Sequence, residues 1–143
     1  MIRTTLTCLA LAAAMSSAAF AETFEVRMLN KGQNGDRMVF EPPFLRAAAG
    51  DTVKFLASDK GHNAETVKGM IPDDATAFAG KINEEIEVTF GTEGVYGVMC
   101  KPHYAMGMVM TIAVGDVTAP GDFLDGRIPP KAKERLAAQL ARF

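Results

Sequence analysis

Histidine and cysteine are scarce in this chain of 143 residues, which holds two of each: His62 and His103, Cys8 and Cys100. Two thiols cannot build the cross-linked framework of a small disulfide scaffold. Basic charge is short too. Lys and Arg number 15 against 17 Asp and Glu, for a formal net charge of −2, a balance that argues against nucleic acid as a partner. Between Glu22 and Val114 no long amphipathic helical pattern occurs, so a helical bundle is excluded. No apolar run reaches the roughly 20 residues that a membrane-spanning helix needs.

The longest apolar run lies at the start. Met1-Ile2-Arg3 supplies a basic end, Leu6 to Met15 an apolar centre, and Ala19-Phe20-Ala21 an A-x-A cleavage site. That order reads as a secretory signal peptide removed after Ala21, not as a membrane anchor. Cys8 sits at the front of the apolar run instead of behind a small-residue cleavage box, which speaks against a lipoprotein acceptor. Residues 1–21 are therefore expected to be a leader, and residues 22–143 a single domain of a size that supports one core. Cleavage removes Arg3 and Cys8, making the charge one unit more negative and leaving Cys100 as the lone thiol of an exported protein. A mixed disulfide, a reactive thiol or a metal ligand would account for it.

From Glu22 to Val114 the chain runs in short period-two stretches punctuated by Gly, Pro, Asn and Asp, the pattern of an all-β sandwich or barrel. Phe24, Val26 and Met28 alternate with Glu25 and Arg27, and Lys31 to Asp36 makes a glycine-rich turn. Met38 to Leu45 is broken by Pro42-Pro43, which fits an edge strand or a bulge. Thr52 to Ala57, Ala64 to Val67, Glu85 to Phe90, Val95 to Met99 and Met108 to Val114 complete the extended segments. Asp73 to Phe78 has room for one helical turn. Beyond Gly115-Asp116 the composition turns helical, in Gly121 to Gly126 and again in Pro130 to Phe143. There Ala132, Leu136, Leu140 and Phe143 form one apolar stripe, expected to pack on the sandwich.

The chemistry is concentrated in Cys100-Lys101-Pro102-His103-Tyr104-Ala105-Met106-Gly107-Met108, with His62 upstream in a polar Gly-His-Asn loop. Taken singly, each residue has an ordinary explanation: a buried thiol, a loop histidine, a core methionine. Together they are a thiolate, two imidazoles and a thioether, a set that suits copper in both oxidation states. Zinc is the less suitable ion, because structural zinc sites favour more thiolates and methionine is a poor zinc ligand. A cysteine hydrolase would need an oxyanion hole and an orienting third group, and neither is evident. Copper carriage without electron transfer is the nearest rival, although a Cu(I) carrier would not need a preformed arrangement of two His and one Cys.

At these residues the chain resembles the cupredoxins, the type 1 blue-copper proteins, and most closely the pseudoazurin family. The likeness spans nearly all of residues 22–143. It rests on Met28 to Gly32, Met38 to Pro42, Asp59 to Asn63, Met70 to Pro72, Lys81 to Glu84 and Pro102 to Met108. Azurins have a longer Cys-to-His gap and amicyanins a shorter His-to-Met gap, whereas plastocyanins share the loop spacing but lack a helical tail. The resemblance implies a Greek-key β-sandwich with C-terminal helices over about residues 118–143. It further implies one type 1 copper held by His62, Cys100, His103 and Met108, with Met38 near the exposed histidine and Asn63 tying the ligand loops. The implied role is that of a monomeric periplasmic one-electron carrier, not an enzyme, that docks transiently on redox proteins such as copper nitrite reductase. Neither nucleic acid nor a stable membrane association is expected. Lys31, Lys60, Lys81 and Lys101 are candidates for a basic ring around an uncharged patch formed by Pro102, Ala105, Met106 and Gly107.

Overall fold

A computed structural model describes residues 19–143; the leader read over residues 1–21 lies, up to residue 18, outside the described residues. The alternating segments form eight strands: β1 (Thr23–Lys31), β2 (Arg37–Glu41), β3 (Phe44–Ala47), β4 (Thr52–Leu56), β5 (Glu65–Thr66), β6 (Ile86–Thr89), β7 (Gly94–Met99) and β8 (Val109–Val114). A helix, α1 (Pro130–Leu140), follows them. The strands make two four-stranded sheets, ordered β2-β1-β4-β6 and β3-β8-β7-β5. This is the expected all-β sandwich with a helical C-terminus.

Pro42-Pro43 marks where the chain leaves the first sheet for the second. Both β2 and β3 are edge strands, so the N–H groups that proline lacks are not missed from an interior ladder. The alternation in β1 resolves as read, with Val26 and Met28 fully buried and Glu25 and Arg27 exposed. Between the sheets lies one apolar cluster containing Val26, Met28, Phe40, Phe55, Tyr96, Val98 and Ile112, and this cluster also takes in Cys100 and Met108.

A second cluster lies on the far side of β7 and β8, where Val95 and Val109 meet Ala132, Leu136 and Phe123. Every residue of β8 is buried, because the sandwich covers one face and α1 the other. Ala132 and Leu136 are fully buried, with Leu140 and Phe143 partly so, which is the stripe the spacing predicts. Gln139 is the polar member of this interface: its Nε2 donates to Val109 O (3.1 Å), and its Oε1 accepts from Thr111 Oγ1 (2.8 Å). The chain end is tied down by Phe143, edge-on to Phe44 at 5.1 Å, with Arg46 over the Phe143 ring and Arg142 over that of Phe44.

Two helical expectations shrink. Gly121–Leu124 forms turns, so the helix of the tail is α1. At Asp73 the chain makes a turn closed by Ala75 N–H to Pro72 O (3.0 Å) and does not continue as helix. Each stretch is too short to repay the unfavourable nucleation of a helix. Among the described residues no helix is long and apolar enough to cross a membrane.

Candidate metal centre

Cys100 directly follows β7 and Met108 directly precedes β8, so the antiparallel pairing of these strands brings the two residues level. The ladder extends one step past its last pair: Cys100 N–H donates to Met108 O (3.0 Å), and Met108 N–H donates to His103 O (3.1 Å). Between them Lys101–Met106 winds into a 3-10 turn with Pro102 near its start. The turn ends at Gly107, whose φ of 84° is left-handed backbone that glycine adopts freely. His103 N–H bonds back to Cys100 O (3.1 Å). Short local bonds thus set the loop geometry before any ligand is considered.

His62 reaches the same pole from the loop between β4 and β5. Its carbonyl accepts from Asn83 N–H (2.8 Å), and Gly61 N–H donates to Asn83 Oδ1 (2.7 Å). Asn63, next in sequence, joins the histidine loop to the cysteine loop. Its Oδ1 accepts from Lys101 N–H (2.8 Å), while its Nδ2 donates to Glu65 Oε2 (2.9 Å) and to Gly80 O (3.0 Å). This is the tie that the resemblance implied.

The three strongest donors converge. His62 Nδ1 and His103 Nδ1 are 3.1 Å apart, and Cys100 Sγ lies 3.7 Å from the first and 3.5 Å from the second. A point equidistant from the corners of this triangle is about 2.0 Å from each, close to the ~2.0–2.3 Å of metal–nitrogen and metal–thiolate bonds. The donor set fits one first-row ion held in a trigonal plane by two imidazole nitrogens and one sulfur. His62, Cys100 and Met108 are fully buried, whereas His103 is half-exposed.

Electrostatics prepares the donors. Burial, then the neighbouring His103, lowers the pKa of His62, with Asp59 opposing, so the ring stays neutral. Its outer nitrogen, Nε2, lies 2.9 Å from Asn30 Oδ1. The proton sits there, and the Nδ1 lone pair is left to face Cys100, as metal-binding histidines require. Burial pushes the Cys100 thiol up, while backbone N–H groups of Asn63 and His103 pull the other way; a bound cation would deprotonate it outright.

Residues 26–115 match the model of copper binding proteins of the plastocyanin/azurin family. The chain belongs to this family. Within it the chain is similar to several pseudoazurins. That of Paracoccus pantotrophus is 45% identical over 90% of this chain and 89% of its own length. The structure of pseudoazurin from Methylobacterium extorquens AM1 superposes with a TM-score of 0.78 at 42% identity, covering 84% of this chain and 98% of that one. Pseudoazurin from Hyphomicrobium denitrificans gives 0.76 at 38% identity, covering 85% and 98%. As a cupredoxin, then, the chain is a copper-binding electron carrier and not an enzyme.

Two residues of this cupredoxin site have roles that the sequence does not show, although Asn30 lies in the Met28 to Gly32 stretch that carries the resemblance. Asn30 lies near the end of β1 and Arg135 stands in α1; both meet the ligand loops only through the fold. Met38 packs against the cluster that includes Cys100 and Met108, on a left-handed backbone with φ of 52°. Lys31, Lys60, Lys81 and Lys101 are all exposed.

Proposed function

We propose that His62, Cys100, His103 and Met108 hold a single type 1 copper ion, and that the mature chain, residues 22–143, shuttles one electron at a time in the periplasm. The observation that carries this reading is the donor triangle: two imidazole nitrogens and one cysteine sulfur around a space for one ion, with the thioether-bearing Met108 hydrogen-bonded to the same loop. Copper bound there would cycle between Cu(I) and Cu(II). The protein's part is to hold donors that neither state finds ideal, so that little moves when the electron does.

His103 is the half-exposed donor and offers the exit. Around it Pro102, Ala105 and Met106 are exposed and uncharged, Met106 being 45% exposed. Such a patch admits a close, brief encounter. The exposed lysines supply attraction for an acidic partner, for which copper nitrite reductase is the expected example. Removal of the leader after Ala21 is supported by the anchoring of Glu22, whose N–H donates to Asp51 Oδ1 (2.8 Å) and whose carbonyl accepts from Thr52 N–H (2.9 Å).

Adding Cu(II) to the purified mature chain should produce an intense visible thiolate-to-copper absorption at one copper per chain. Absence of that band would refute the site. Rapid-mixing kinetics with a copper nitrite reductase then addresses the partner. Joint replacement of Lys31 and Lys60 by Gln should slow the reaction at low salt and much less at high salt; equal rates at low ionic strength would refute steering.

A further inference from the structure

Arg135 sits in α1, outside the ligand set, yet its guanidinium bonds only to backbone carbonyls near the donors. Nη1 donates to Gly107 O (2.8 Å) and to Met38 O (2.8 Å), and Nη2 to Arg37 O (2.9 Å). One planar fork thereby joins two segments that no strand pairing connects, as its fixed donor geometry allows. Among the described residues the ion pairs are Arg27–Glu41 and Lys131–Glu134, so this cation is committed to the carbonyls.

Both segments bear on the metal centre. Gly107 immediately precedes Met108, and the loop lies flat on α1 there: a Cβ at Gly107 would stand 2.7 Å from Lys131 Cγ and 3.1 Å from Arg135 Cδ. Met38 has left-handed backbone that a residue with a side chain adopts only when held, and it packs against the cluster of Cys100 and Met108. A copper–thioether contact is long and weak, so its length follows the scaffold more than the ion. Whatever fixes the backbone at Gly107 fixes that length.

We propose that Arg135 is a positioning residue of the copper centre: by clamping Gly107 to Met38 it sets how closely the Met108 sulfur approaches the metal. The inference rests on the reading of Met108 as the axial ligand. Loss of the clamp lets the loop relax outward, weakens the axial contact, and disfavours Cu(II), which gains more than Cu(I) from a fourth donor.

The test compares copper-loaded Arg135→Gln and Arg135→Lys with Arg142→Gln, which loses its stacking on Phe44 but touches no ligand loop. Expected for the Arg135 variants are a changed ratio between the two thiolate-to-copper charge-transfer bands and a higher reduction potential. Arg142→Gln should lower the melting temperature and leave both unchanged. In the copper-free protein, amide exchange at Gly107 and Met108 should quicken about tenfold in Arg135→Gln, since local opening reports the lost restraint. An unaltered band ratio and potential in the Arg135 variants, whatever their melting temperatures, overturns the proposal and leaves Arg135 a structural tie. A wild-type chain without charge-transfer bands overturns the copper reading instead, a failure that the amide exchange of the copper-free protein keeps separate from the clamp.

Discussion

Replacing Asn63 with alanine asks how far the metal centre depends on one amide. The side chain is 3% exposed and makes three hydrogen bonds, to Lys101 N–H, Gly80 O and Glu65 Oε2. Alanine leaves a backbone donor, a backbone acceptor and a half-buried carboxylate without these partners. At about 1 kcal/mol for each neutral bond, and about 1 for the Glu65 bond after discounting for its partial exposure, the loss is roughly 3 kcal/mol. That is a large part of the ~5–15 kcal/mol that keeps a domain folded. Urea titration of the copper-free protein, with a slope of about 1.5 kcal/mol per molar, should show a midpoint lower by roughly 2 M. Because Lys101 follows Cys100, the two donor loops also come apart, and copper affinity should fall about 10–100-fold in a chelator competition. Asn63→Asp gives a second measurement. It keeps the acceptor for Lys101 but sets a carboxylate against Glu65, so it should destabilise at least as much. A loss below about 0.5 kcal/mol in both variants would refute the tie between the loops.

Four further outcomes follow from the same geometry. Asn30→Leu removes the acceptor of His62 Nε2–H, and chelator competition should show copper held about tenfold less tightly; equal affinity would mean that the bond does not orient the ring. The copper-free protein should lose stability on acidification. Burial and His103 lower the pKa of His62, so its contribution is present above about pH 6.5, the unfolded value, and is lost as the pH falls toward the lowered folded value; His62→Gln should flatten that part of a urea-midpoint profile. The Tyr104 hydroxyl is buried without a hydrogen-bond partner, so Tyr104→Phe should leave the melting temperature equal or higher, and a marked drop would reveal a partner for it. A chain beginning at Glu22 carries its ammonium 2.8 Å from the Asp51 carboxylate, whose pKa is already lowered by bonds from the backbone of Glu22 and Ala48. It should melt above a chain that retains Phe20-Ala21, and the difference should vanish in Asp51→Asn.

Much of the architecture follows from local pattern. Alternation placed the strands because a half-buried strand must show opposite faces to core and solvent, and Glu25 and Arg27 against Val26 and Met28 leave one register. The tail stripe placed α1 for the same reason at helical spacing. Where the pattern was weak, at Asp73 to Phe78 and Gly121 to Gly126, composition alone allowed helix and the chain made turns. Three of the four candidate donors were legible because they share one loop, where residue type and spacing are read directly.

His62 entered through its scarcity, as one of two histidines, but its arrival beside Cys100 required the closing of the sandwich. The sequence by itself determined the donor types, the loop that carries three of them, the alternating strands and the apolar stripe of the helix, since each depends on neighbours within a few residues. Tertiary structure alone decided the donor triangle, the proton on His62 through Asn30, the exposure of His103, and the clamp of Arg135 on Gly107 and Met38. The contacts of that clamp span 28 to 98 residues. Side chains so far apart in sequence meet only after both sheets and the helix have packed, and no local preference encodes the distance between them.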